Sequence, residues 1–134
     1  MNSRKPLVRH FIACEKVESS TDKRQYSLIN IIHAIQTLPG AAFPQIYPEL
    51  YLFVMMTDGQ GTHEFAVELV YWDCGAQRST WTSRRVKLDL GQDPLRVHGW
   101  PVRLRNIPFA QRGDYDFVLW CDGEVIARDT IHVR

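Results

Sequence analysis

Apolar and polar positions alternate along most of this chain, most clearly from Phe109 to Arg134. Two runs with a period of two residues flank the pair Asp122-Gly123. Successive side chains of a strand point to opposite faces, so this alternation predicts two half-buried β-strands. An Asp-Gly pair between such runs predicts a two-residue hairpin turn, in which both central residues have positive φ. The end of the chain is therefore expected to be a β-hairpin.

Similar patterns occur upstream and predict about eight strands in all, with no sustained helical periodicity. For Tyr26 to Leu38 a helix from Ser27 to Gln36 is the alternative, but the Ile-rich composition favours a strand. The prolines from Leu38 to Pro48 predict a long connection, of the kind that crosses between two sheets. The other predicted strands are Leu7 to Val17, Leu50 to Met56, Thr62 to Trp72, Arg78 to Leu90 and Pro101 to Ile107.

This succession of strands predicts an all-β fold, an immunoglobulin-like antiparallel β-sandwich of about seven to nine strands. A chain of 134 residues has the size of one domain, which we place at residues 7–134 after a flexible N-terminus at residues 1–6. No apolar run approaches the roughly 18 residues that a membrane-spanning helix needs, and no signal peptide is evident. We therefore expect a cytoplasmic protein without a membrane partner.

The cysteines and histidines show none of the spacings used by common metal and catalytic sites. Cys14, Cys74 and Cys121 are an odd number and widely spaced, which predicts buried free thiols within strands. The five histidines form no zinc-binding pattern, and the chain has neither a nucleophile elbow nor a phosphate-binding loop. The sequence therefore predicts a protein that is not an enzyme, with no catalytic residues, no cofactor and no metal site.

If neighbouring strands are antiparallel, alternate loops lie at the same end of the sandwich. One end would gather four aspartates from different loops, namely Asp22, Asp58, Asp93 and Asp122. Carboxylates from several loops could bind Ca²⁺, which takes six to eight oxygen ligands. Aspartate is also an ordinary turn residue, because its side chain bonds to the nearby backbone. A calcium-dependent loop module is thus a lesser alternative.

The opposite end combines aromatic side chains and an arginine with several prolines. Phe43, Tyr47, Phe109 and Arg112 would lie there on connecting segments. Aromatic and arginine side chains are enriched where proteins recognise one another, although they could equally pack over the end of the core. We take these four residues as a candidate interaction surface.

The segment from Arg78 to Arg112 is basic, with eight Lys or Arg residues against two aspartates, although the whole chain carries only +1. Arg103 and Arg105 share one face of a predicted strand, as do Arg85 and Lys87. Such arginines could bind single-stranded nucleic acid, but the aromatic residues do not alternate as a stacking platform would. They could also protect a sheet edge, so nucleic acid is the weaker expectation and Arg103 and Arg105 join the candidate interaction surface.

The sequence contains no catalytic or metal-binding motif, and its loops are rich in Pro, Arg and aromatic residues. We therefore expect a protein-interaction or scaffolding module that binds another protein or a second copy of itself. The main alternative is a small-ligand or carbohydrate-binding sandwich. Such a module would use exposed tryptophans as a stacking surface, chosen from Trp72, Trp81, Trp100 and Trp120.

Several motifs together resemble a bacterial family of small single-domain proteins that is catalogued only as a domain of unknown function. They include Ala13-Cys14-Glu15, the strand Tyr26 to Ile32, Phe43-Pro44, Asn106-Ile107-Pro108-Phe109 and Gly113-Asp114-Tyr115. The resemblance covers nearly the whole chain. It implies a compact all-β sandwich and implies no catalytic residues.

Overall fold

The computed structural model describes residues 3–134 and consists of ten β-strands in two sheets. The strands are β1 (Leu7–Ser19), β2 (Tyr26–Ile31), β3 (Ala34–Ile35), β4 (Gln45–Thr57), β5 (Thr62–Asp73), β6 (Ala76–Thr82), β7 (Val86–Asp89), β8 (His98–Phe109), β9 (Gly113–Cys121) and β10 (Glu124–Val133). The predicted all-β fold is confirmed. No helix among the described residues has the length and apolar character needed to cross a membrane.

The two sheets differ in size and in the direction of their strands. The smaller sheet has the antiparallel order β2-β1-β4-β8. The larger has the order β3-β10-β9-β5-β6, with β7 paired to β5 beyond the end of β6. It is mixed, because β3 runs parallel to β10. This architecture is consistent with a sandwich whose free edges are β2 and β8 in one sheet, and β3 and β6 with β7 in the other.

The C-terminal hairpin predicted from the alternation is confirmed. Strands β9 and β10 pair antiparallel from Cys121 and Glu124 to Gly113 and Val133. Asp122 has φ of 50° and Gly123 has φ of 82°, the positive values that the two-residue turn requires. Every second side chain of β9 therefore faces the core.

The hydrophobic core lies between the sheets and comes mainly from the central strands β4, β5 and β9. Leu50, Leu52 and Val54 alternate along β4 and are fully buried. On the opposite face of β4, Phe53 is also buried, because the ring of Tyr26 packs on it at 4.8 Å between centroids. Because side chains pack on both faces of β4 in this region, its sequence is almost continuously apolar.

Two predicted strands are each divided in the structure, which raises the count to ten from the seven to nine expected. Tyr26 to Leu38 forms β2 and β3 in different sheets, with buried Ile32 between them, and the alternative helix does not form. Arg78 to Leu90 divides at Ser83, whose side chain and backbone both bond to Val67 of β5. Local alternation does not reveal such breaks, because the partners that cause them are distant in sequence.

The connection from Leu38 to Pro48 crosses from the larger sheet to the smaller one, as predicted. Its last residues are already part of β4, since Gln45 pairs with Phe109 and Tyr47 with Ile107. The crossing therefore takes place within residues 36–44.

The start of the described chain packs on the sandwich. Arg4 and Gln60 exchange two backbone hydrogen bonds of 2.9 Å, and Pro6 is buried. Of the expected flexible segment at residues 1–6, residues 1 and 2 lie outside the described part, whereas residues 4–6 contact the domain.

The three cysteines are free, as predicted, but only two are buried. Cys14 and Cys121 lie in strands, and burial raises the pKa of both thiols. The prediction is wrong for Cys74, which is exposed because it lies in the turn between β5 and β6 with φ of 50°.

Candidate interaction groove at the open side of the sandwich

A groove runs along one lateral side of the sandwich, between the edge of the smaller sheet and the edge of the larger one. It has a volume of about 670 Å³. We call it the edge groove and define it by its lining residues, which are Trp81, Thr82, Ser83, Arg84, Val86, Val102, Arg103, Leu104 and Arg105. The first five belong to β6, β7 and the segment between them, and the last four belong to β8. No hydrogen bond or ion pair between β8 and either β6 or β7 occurs within residues 3–134.

The floor of the edge groove is apolar. Trp81 and Val102 are partly buried and pack against the core, and Leu104 is 4% exposed. Val86 is 40% exposed and extends the apolar surface toward solvent. Val102 and Leu104 share a face because they are two residues apart on one strand. The alternation of apolar and polar residues that builds the core therefore continues into β8, the edge strand of the smaller sheet.

The rim of the edge groove is positively charged. Arg84, Arg103 and Arg105 are all exposed at its border. The guanidinium of Arg103 donates to the carboxylate of Glu49 on the neighbouring strand, which raises the pKa of Arg103. Within the described part of the chain, Arg84 and Arg105 have no carboxylate within ion-pairing distance. The groove thus offers two unneutralised guanidinium groups beside an apolar floor.

The backbone edge of β8 is interrupted at several points. Pro101 and Pro108 have no N–H to donate, and Asn106 has φ of 53°, outside the range of regular strands. These features are among those that proteins use to prevent indiscriminate pairing at a sheet edge. Recognition in the groove would therefore depend on side chains more than on a continuous backbone ladder.

The structure places the six residues of the candidate interaction surface in two separate regions. Arg103 and Arg105 line the edge groove, whereas Phe43, Tyr47, Phe109 and Arg112 lie at the end of the sandwich. Phe109 is 1% exposed and packs edge-to-face on Tyr115, so in this conformation its side chain belongs to the core and presents almost no surface to a partner. It is buried because β8 extends farther than the predicted end at Ile107.

Arg112 is held within the fold. Its guanidinium donates to the carbonyl oxygen of Leu38 at 2.8 Å and to Oγ1 of Thr37 at 3.1 Å, and lies 5.0 Å from the ring centre of Phe43. These contacts fasten the crossing segment to the loop before β9. Tyr47 packs partly on the core beside the same segment. The group thus anchors a loop, which was the competing interpretation of these residues.

Two of the loop aspartates considered for calcium, Asp22 and Asp93, bond within their own turns. Asp22 accepts from the hydroxyl of Ser20 and the N–H of Arg24, which lowers the pKa of its carboxyl. Asp93 accepts from the N–H of Leu95. Asp122 instead pairs with His63. The bonds of Asp22 and Asp93 are those expected of turn residues.

All four tryptophans are partly buried. Trp100 packs edge-to-face on Phe65, and Nε1 of Trp120 donates to Glu68 at 3.1 Å. Trp81 alone of the four lines the edge groove, and Trp72 lies near the end of β5.

The sequence did not identify Arg84 and Val86 as residues of the groove. A continuous strand from Arg78 to Leu90 would have placed Arg85 and Lys87 on the shared face. The break at Ser83 instead leaves Arg84 at the groove, while Arg85 contacts Glu64 on another surface of the sheet. The adjacent polar triplet Ser83-Arg84-Arg85 is the local signal that could have suggested this break.

The fold and the groove together define a small all-β sandwich protein with an open lateral side. A family model described as a family of unknown function (DUF6941) matches residues 9–134. The chain belongs to this family, as the resemblance in its sequence implied.

One solved structure with a similar fold is that of the Pseudomonas fluorescens alkylpurine DNA glycosylase AlkC bound to DNA containing an abasic site analog. The TM-score is 0.55 at 9% sequence identity, over 96% of this chain and 30% of that chain. At this identity the likeness concerns the fold alone. A search of curated proteins found no match.

Proposed function

We propose that this protein is a non-enzymatic interaction module whose edge groove binds an extended, acidic segment of a partner protein. The observation that carries the proposal is the combination in one groove of an apolar floor with two arginines that lack an acidic partner among residues 3–134. The floor accounts for the affinity, and the rim accounts for the preference for acidic partners.

An extended segment suits the shape of the groove. Its alternate side chains would face the floor at Trp81 and Val102, and the side chains between them would face the rim. Arginine binds carboxylates through two parallel hydrogen bonds, so Arg84 and Arg105 favour Asp or Glu at the intervening positions. A partner segment with alternating apolar and acidic residues satisfies both requirements.

The length of the groove limits the affinity. Its side on β8 extends from Val102 to Arg105, roughly 13 Å of strand at about 3.3 Å per residue. A bound segment would then make contacts over about four to six residues. The surface area buried by such a segment would be well below the roughly 1,200 Å² of stable complexes. We therefore expect a transient interaction with a dissociation constant in the micromolar range or weaker.

Fluorescence anisotropy with a labelled peptide of alternating Val and Glu residues tests this proposal. The charge-reversal variant Arg84→Glu/Arg105→Glu is expected to lose at least tenfold in affinity. The matched control Arg9→Glu/Lys16→Glu has the same change in net charge on exposed positions of β1 and is expected to bind like the parent. Equal weakening by both variants would show that only net charge matters, and no binding by the parent would refute the proposal.

Single-stranded nucleic acid is the second candidate for the same groove. Its specific support is the basic rim, together with the fold likeness to a protein described as bound to DNA. Trp81 is the one aromatic side chain of the groove, however, and it is partly buried against the core. Nucleic-acid grooves stack successive bases on several aromatic rings, so the peptide is favoured. An oligothymidine that binds more tightly than the peptide, with a steep loss on added salt, would reverse this choice.

We also propose that the sandwich is immunoglobulin-like. The order β1-β4-β8 corresponds to strands A-B-E, and β10-β9-β5-β6 corresponds to G-F-C-C′. Tyr115 near the start of β9 donates to the carbonyl oxygen of Gln111 at 2.7 Å, as in the tyrosine corner of such domains. The three free cysteines support a location in the cytoplasm, where thiols stay reduced.

A further inference from the structure

Three residues that are distant in sequence bring metal-binding atoms together at the far end of β9 from Tyr115. His63 lies at the start of β5, Cys121 ends β9, and Asp122 begins the turn to β10. Nδ1 or Nε2 of His63, Sγ of Cys121 and a carboxylate oxygen of Asp122 all lie within 4.8 Å of one another. We propose that these three side chains bind one Zn²⁺ ion, or chemically similar Co²⁺.

The donor set suits zinc. Imidazole nitrogen, thiolate sulfur and carboxylate oxygen are its usual ligands in proteins. A tetrahedral site with bonds of about 2.0 Å to N and O and about 2.3 Å to S places the donor atoms roughly 3.3 to 3.5 Å apart. Nδ1 of His63 is now 2.6 Å from Oδ2 of Asp122. These two atoms would have to separate by about 0.7 Å, which requires a rotation of the partly exposed Asp122 side chain. The three donor atoms now lie within 4.8 Å of one another and would also have to approach the tetrahedral spacing on binding.

The groups around these side chains already orient them as a metal site requires. Nε2 of His63 lies 2.7 Å from the carbonyl oxygen of Gln60, so an N–H there can donate and leave Nδ1 free to bind the ion. Oδ1 of Asp122 accepts from the N–H of Glu64 at 2.9 Å, which leaves Oδ2 for the metal. Metal-binding histidines and carboxylates usually have second hydrogen bonds of this kind.

The charges nearby permit a divalent cation. Lys5 forms an ion pair of 2.8 Å with Glu124, and Asp122 adds a negative charge. Zinc binds the thiolate form of cysteine, so Cys121 would bind the ion without its proton. Binding of the ion would release this proton and any proton on Nδ1 to the solvent, as metal binding to Cys and His does in general.

The bound ion would join three parts of the fold. It would connect the end of β9 to the start of β5 and, through the carbonyl of Gln60, to the loop that contacts Arg4. Three protein ligands leave one position of a tetrahedron for water, on the side where Asp122 is 37% exposed. The site is separate from the edge groove, so it can be present whether or not the groove binds a peptide.

Titration of the chelator-treated full-length protein with Co²⁺ tests the proposal. We expect a near-ultraviolet sulfur-to-cobalt charge-transfer band that saturates at one ion per chain and disappears when Zn²⁺ is added. Cys121→Ser should abolish the band, whereas Cys14→Ser, which changes the other buried cysteine, should retain it. No band in the parent, or an unchanged band in Cys121→Ser, would overturn the proposal.

A second variant covers the case in which Cys121→Ser does not fold. Asn tolerates positive φ, so Asp122→Asn should keep the turn and the fold. It should weaken Co²⁺ binding at least tenfold. We also expect Zn²⁺ to raise the melting temperature of the parent and not that of Asp122→Asn. Unchanged Co²⁺ affinity in a folded Asp122→Asn protein would exclude this carboxylate as a ligand and contradict the three-ligand site.

Discussion

The two lateral sides of this sandwich are completed in different ways. On one side the chain itself joins the sheets, because residues 32 and 33 pass from β2 to β3. There Oδ2 of Asp129 on β10 accepts from the N–H of Ala13 on β1 at 2.9 Å, and the N–H of His132 donates to the carbonyl of His33 at 3.0 Å. On the other side lies the edge groove, where β8 faces β6 and β7 without a hydrogen bond within the described residues.

This difference indicates where a partner can add contacts. On the joined side, the backbone N–H groups of Ala13 and His132 already have hydrogen-bond acceptors from the same chain. On the open side, β8 has prolines and arginines that discourage random strand pairing, yet the floor at Trp81 and Val102 remains accessible. This is the reason for proposing the open side, and not the joined side, as the place where a partner segment binds.

The largest effect is expected from removing the floor of the open side. Trp81→Ala should lower the free energy of unfolding by about 2–3 kcal/mol, since the side chain packs partly on the core, and should abolish peptide binding. Urea denaturation and the anisotropy assay measure the two effects. Trp72→Ala, a control at the end of β5, should leave binding intact; equal loss of binding would mean that Trp81 acts only through overall stability.

On the joined side, Asp129→Ala should cost about 1–3 kcal/mol. It removes the acceptor of the Ala13 N–H, and an unsatisfied buried donor is expensive. Urea denaturation measures the change, and Asp73→Ala at an exposed position serves as the control. A cost of Asp129→Ala no larger than that of the control would show that this bond does not hold the two sheets together.

A smaller effect is expected when only the charge of Asp129 is removed. Burial raises the pKa of this carboxyl, with a contribution from Asp116. The folded state then holds the proton more tightly than the unfolded state, so the contribution of Asp129 to stability falls as pH rises through its raised pKa. Asp129→Asn keeps an acceptor without this loss and should be at least as stable as the parent at pH 7. The pKa shift would be contradicted if Asp129→Asn were less stable than the parent at pH 7 and if this difference in stability were the same at acid pH.

The smallest effect is expected at the free edge of β2, next to the joined side. This strand lacks charges and proline, and Ile31 is 58% exposed. Ile31→Lys should change the free energy of unfolding by no more than about 0.5 kcal/mol, because the position is on the surface, and should leave peptide binding unchanged. Loss of peptide binding in this variant would move the proposed interface from β8 to β2.

The sequence was most informative where structure depends on neighbours in the chain. The alternation in β9, the turn at Asp122-Gly123 and the crossing after Leu38 all result from local chemistry, and all were predicted correctly. In β10 the predicted alternation is wrong at Val125, because the register with β9 shifts between Val125 and Ala127. The break at Ser83 depends instead on a bond to Val67. Similarly, the parallel pairing of β3 with β10 depends on where the chain crosses between the sheets.

The candidate site was only partly predictable for the same reason. Arg103 and Arg105 could be selected because their alternation with Val102 and Leu104 is visible in the sequence. Their position opposite Trp81 and Arg84 requires knowing that β8 and β6 are both edge strands on one lateral side. The grouping of His63 with Cys121 and Asp122 is likewise a result of pairing between β5 and β9, which no short motif records.

Peptide binding in the edge groove is tested most directly by a map of backbone amide shifts, recorded by heteronuclear NMR while the alternating Val-Glu peptide is added. We predict that the shifts change at Arg84, Val86 and residues 102–105, together with the indole N–H of Trp81, and stay constant at the anchored Arg112 and on β2. Changes confined to residues 36–47 or to β2, with none along the edge groove, would show that the peptide binds elsewhere on the protein.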